Sequence, residues 1–125
     1  MRHVSRFAVA ASALAALALS PAARADANAE LNEFLEKNAV ASAYALMCDE
    51  EPMAEQLKAN TMILLAVNGL PTHNVQLGSA KYNQVIKREV AATRNPKEIN
   101  CAVRVAEAKS RLAETQGILQ ATRRP

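Results

Sequence analysis

Tryptophan is absent and glycine is scarce: the chain of 125 residues has three Gly, five Pro, two Tyr and two Phe. With so few turn formers and no run of alternating β-branched residues, a strand-rich fold is excluded. No glycine-rich phosphate loop occurs, and beyond residue 25 His73 is the sole histidine. Thr72 and Asn74 beside it complete no triad, so His73 reads as a surface loop residue. There are two cysteines, too far apart for a C-x-x-C redox pair and too few for a thiolate metal site. The usual routes to catalysis therefore have little to work with, and the expectation is a protein that is not an enzyme.

Long apolar runs are also missing after residue 25, where the densest stretch, 62–67, is far too short to span a bilayer. An apolar run does stand at the N-terminus. Basic Met1-Arg-His-Val-Ser-Arg6 precedes a mostly Ala/Leu stretch over 7–19, Pro21 breaks it, and Ala23-Arg24-Ala25 offers a small-x-small cleavage site. That order is a signal peptide, 1–25, cut after Ala25, and it predicts a soluble periplasmic domain over 26–125 with no membrane span.

Removing the leader changes the charge. The whole chain carries 15 Lys+Arg against 12 Asp+Glu, but Arg2, Arg6 and Arg24 leave with the leader, and what remains is formally neutral. The basic pI therefore carries no nucleic-acid signal. Neutrality hides a division, with a net of −7 over 26–55 and +7 over 56–125. Either the two halves pack together and complement each other, or one face recruits a cation or a basic partner.

In an oxidising compartment Cys48 and Cys101 are expected to form a disulfide. On the chain-entropy model, closing so long a loop stabilises by about 4 kcal/mol.

Ala, Leu, Glu, Lys, Gln and Arg dominate the rest, and they predict an all-α, four-helix bundle-like domain with helices near 28–48, 52–68, 79–94 and 96–121. In the first, Leu31, Phe34 and Leu35 share a face, while Val40, Tyr44 and Met47 fall about 165° away. Such a helix must break near Asn38 or be wrapped on two sides, and the alanines at 39, 41, 43 and 45 favour wrapping. Pro52 suits the first turn of the second helix. That helix is expected to bury Met53, Leu57, Leu64 and Val67, with 61–67 its most buried part. Gly69 and Pro71 end it, and a loop over 69–78 leads to Ser79 as the cap of the third helix, which buries Tyr82, Val85, Ile86 and Val90. Asn95-Pro96-Lys97-Glu98 starts the last helix in capping-box fashion. Its seam, Cys101, Val105, Ala108, Leu112, Thr115 and Leu119, recurs at spacings of 4 and 3 and calls for a partner helix along its length. A second line of small residues, Ala102, Ala106, Ala113 and Gly117, is placed to admit a further helix.

Two functions are consistent with this pattern. The first is a small periplasmic, non-catalytic binding or interaction protein, an adaptor or chaperone-like helical module whose partner is another periplasmic protein or a second copy of itself. The alternative is a carrier of a hard cation, calcium or a lanthanide, held by Asp49, Glu50, Glu51 and Glu55, with a metal-bridged dimer completing the shell. The plain reading of those four carboxylates is charge placed at the positive end of a helix.

Overall fold

The computed structural model describes residues 21–68 and 72–123; the apolar run over 7–19 and the Gly69–Pro71 helix stop lie outside them. Among the described residues there are four α-helices and no strand: α1 (Pro21–Met47), α2 (Glu51–Val67), α3 (Thr72–Ala92) and α4 (Cys101–Arg123), with a 3-10 turn over Pro96–Glu98. None of these helices is long and apolar enough to cross a membrane. The fold is the expected all-α bundle, and Cys48 and Cys101 are joined, with their Cα atoms 5.6 Å apart.

α1 is the axis, packed by α2, α3 and α4, while α3 and α4 have little contact with each other. It does not break near Asn38. Leu31, Phe34 and Leu35 are buried, and so are Asn38, Ala39, Ala41, Ser42, Ala43 and Ala45. Alanine is what lets three helices approach one segment so closely. Val40, Tyr44 and Met47 on the opposite face stay half-buried. The proposed cleavage point after Ala25 falls inside α1 of the uncut chain, and Pro21 is the helix's first residue rather than a break.

The corner after α1 is a Schellman motif. Asp49 sits at φ 62°, Glu50 N donates to Ala45 O at 2.8 Å and Asp49 N to Leu46 O at 3.2 Å. These bonds satisfy carbonyls that the helix end would otherwise leave open. Pro52 then lies in the first turn of α2, as expected.

Other boundaries differ from expectation. α3 begins at Thr72 instead of 79, so Ser79 lies inside the helix and caps nothing. Gly78 explains the sequence's false stop: a Cβ there would come 2.9 Å from Leu65 Cδ1 and 3.4 Å from Leu35 Cδ1, so this glycine permits close packing. His73, expected in a loop, is in the first turn of α3. The last helix does not start at Pro96. Asn95 Oδ1 does accept from Lys97 N at 3.1 Å, but only the 3-10 turn follows, ended by extended Ile99. The cap of α4 is Asn100, whose Oδ1 accepts from Val103 N at 3.3 Å.

Burial also corrects the reading of 61–67. Leu64 and Leu65 are buried, whereas Ile63 and Val67 are 44% and 39% exposed, and Val90 of α3 is exposed as well. A helix packed on one side buries one stripe whatever its composition. The seam of α4 does face the bundle, with Ala108, Thr115 and Leu119 buried. The small residues Ala102, Ala106, Ala113 and Gly117 are exposed and receive no helix among the described residues.

Core composition changes along the bundle. Near the disulfide the buried cluster is Ala41, Ala45, Ala54, Leu57 and Ala108. Farther from it Leu31, Leu35, Leu65, Tyr82 and Val85 form one cluster, and Phe34, Leu64 and Leu119 another. At roughly 1.5–3 kcal/mol per fully buried large apolar side chain, most of the hydrophobic stabilisation lies at the far end.

Candidate binding groove and the polar seam beneath it

A line of polar side chains runs through the middle of the core. Asn38 on α1 donates through Nδ2 to Thr61 Oγ1 at 2.9 Å and accepts at Oδ1 from Arg111 Nε at 2.7 Å. Its backbone carbonyl accepts from the Tyr82 hydroxyl at 3.0 Å. One turn on, Ser42 Oγ bonds the same hydroxyl and Ala54 O. Asn60 Nδ2 reaches Thr115 Oγ1 at 3.2 Å, and Gln56 Nε2 donates back to Asn60 Oδ1 at 2.9 Å. All four helices thus meet through hydrogen bonds that fix their register. A pairing slipped by one turn would strand several of these groups without partners.

Burial pushes the Tyr82 phenol up to about 12, with the hydroxyls of Ser42 and Thr61 and the charge of Arg111 pulling the other way. The same desolvation lowers the Arg111 guanidinium, opposed by the charges of Glu114 and Tyr82. Arg111 lies against the Phe34 ring, 5.1 Å from its centroid, and its Nη1 is 3.4 Å from Glu114 Oε1.

Arg111 also marks the edge of an open groove of about 590 Å³ between α1 and α4. Val40, Ala41 and Tyr44 line it from α1; Arg104, Glu107 and Ser110 line it from α4. By helical periodicity Val40 points about 160° away from Asn38, which faces α2. The groove therefore follows the face of α1 left open because α3 and α4 stay apart. The Arg104 guanidinium lies over Tyr44, its Cζ 3.8 Å from the ring centroid, and pairs with Glu107 at 3.4 Å. Tyr44, Arg104 and Glu107 also line a second concavity of about 570 Å³, which reaches Ile99 and the connection from α3 to α4.

The charged rim is paired. Lys37–Glu33, Arg104–Glu107 and Arg111–Glu114 each stay within one helix, and Arg88–Glu36 at 3.5 Å joins α3 to α1. Of these four, Arg88–Glu36 is the one that links the acidic first half of the chain to its basic second half.

The carboxylates singled out in the sequence, Asp49, Glu50, Glu51 and Glu55, lie at the α1–α2 corner, with Asp49, Glu51 and Glu55 exposed. Among the described residues no group of three His, Cys, Asp or Glu side chains is placed to hold a metal ion. The groove was not singled out from sequence. The one signal the sequence holds for it is the second apolar face of α1, Val40 and Tyr44, whose periodicity alone predicts a surface for another helix.

No protein-family model, curated protein or solved structure matches the chain.

Proposed function

We propose that the chain is an exported, non-catalytic binding protein, a helical module that presents the α1–α4 groove to a periplasmic partner. The groove carries this reading. An apolar floor with an aromatic ring is flanked by guanidinium groups lying against aromatic faces, a combination that suits a protein or peptide surface. The hydroxyl and amide groups in the core support it too. Ser42, Thr61, Thr115, Tyr82, Asn38 and Asn60 are all engaged in holding helices together. Export rests on the pattern of residues 1–25.

Photocrosslinking in the living periplasm tests the reading. A crosslinker at Ser110, inside the groove, should capture one defined partner, while the same group at exposed Ala113, off the groove, should not. Capture from both positions, or from neither, counts against the groove as the binding surface. The mass of the purified protein tests export separately, since the proposed cleavage leaves Asp26 as the first residue.

A further inference from the structure

No residue from Ile86 to Glu107 is buried. The segment is bounded by two well-packed residues, Val85 on α3, 2% exposed, and Ala108 on α4, 0% exposed. Between them lie the end of α3, the connection with its 3-10 turn, and the first turns of α4. Val90 and Val103 point their side chains into solvent, at 43% and 49% exposure. At the root of the segment Ile86 packs against the cluster of Leu31, Leu35 and Tyr82; beyond it the ties to α1 include Arg88–Glu36, with both side chains largely exposed, and Arg104 over Tyr44. Exposed ion pairs contribute little. The strong tie is Cys101 to Cys48. The core cluster nearest the disulfide is rich in alanine and offers little apolar area to hold the part of the segment beyond Ile86.

We infer that residues 86–107 form a hinged arm latched by the Cys48–Cys101 disulfide, and that a dithiol reductant releases the arm while the rest of the bundle stays folded. A thiolate of the reductant attacks one cysteine sulfur and displaces the other as a thiolate, giving a mixed disulfide. The second thiol of the reductant then closes on its own sulfur and releases the remaining cysteine. Two electrons and two protons pass to the protein, leaving two cysteine thiols and an oxidised reductant. Val85 and Ala108 act as the hinges, because the far core and the Asn60–Thr115 and Asn38–Arg111 bonds lie outside the arm. Release lifts Arg104 from Tyr44 and bares the disulfide end of the groove. The opening goes beyond the binding reading and needs no partner to occur.

Hydrogen exchange of the full chain, oxidised and after dithiothreitol, tests this. Amides over 89–107 should lose protection by about ten-fold or more, while those of 31–45, 54–65 and 108–119 keep theirs. The Cys48→Ser/Cys101→Ser double variant should reproduce the reduced pattern without reductant. Loss of protection throughout the bundle would overturn the inference, because the disulfide would then staple the whole fold. Unchanged protection over 89–107 would overturn it as well, because packing alone would then hold the arm.

Discussion

Arg111 Nε donates to Asn38 Oδ1 at 2.7 Å, joining two helices across a sequence separation of 73 residues. Asn38 is fully buried and also serves Thr61, so it holds α4 and α2 to α1 at one point. Asn38→Ala leaves the half-buried Arg111 guanidinium without this acceptor and Thr61 without its donor. The expected loss is about 2–4 kcal/mol, read by urea denaturation. Asn38→Leu combined with Arg111→Met should recover the part of that loss due to the unmatched guanidinium, while Thr61 keeps its bond to Leu57 O and Glu114 loses its pair with Arg111.

Tyr82 sets the alkaline limit. In the unfolded chain its phenol titrates near 10, and in the fold near 12. Between those values the unfolded state has released a proton that the folded state still holds. Stability is therefore fully present below pH 10 and falls as pH rises toward 12, by about 2–3 kcal/mol in all. Denaturation midpoints measured across this range should fall for the parent protein. Tyr82→Phe, less stable at neutral pH by about 1 kcal/mol, should show a much flatter decline.

The two helical glycines at 78 and 117 should respond differently to alanine. Gly117 is exposed, and a Cβ there meets nothing within 4 Å, so Gly117→Ala should stabilise by about 0.5–1 kcal/mol. At Gly78 the same propensity gain is offset by the approach to Leu65 Cδ1 and Leu35 Cδ1. Gly78→Ala should gain nothing in thermal melts, and Gly78→Val should lose about 1–3 kcal/mol.

Asp49 occupies the left-handed position of a motif that usually takes glycine. Asp49→Gly should raise stability by about 0.5–1 kcal/mol in chemical denaturation and leave the disulfide intact. A loss would mean that the Asp49 carboxylate contributes more to the corner than the backbone strain removes.

Helix content, helix number and the cysteine pairing were legible because each rests on local chemistry: helix-forming composition, the 4-3 spacing in α4, and a lone cysteine pair. The start of α3 was hidden by Gly78, whose packing role depends on Leu65 and Leu35 from two other helices. In α2 the apolar run 61–67 surrounds the helix, so nothing local shows that Leu64 and Leu65 turn inward while Ile63 and Val67 turn out. At Asn95 the cap was visible, but Asn100 competes as a second cap, and extended Ile99 separates the two. The groove was the least legible feature. It exists because α3 and α4 stay apart on either side of α1, a relationship that no single helix encodes.

With no tryptophan in the chain and only two tyrosines, intrinsic fluorescence comes from a pair of rings in contrasting surroundings. Tyr82 is sealed in the core, while Tyr44 lies in the groove beneath Arg104. Its emission will respond to whatever fills the groove and to any movement of the guanidinium above it. In a Tyr82→Phe background, Tyr44 becomes a label-free optical probe of groove occupancy.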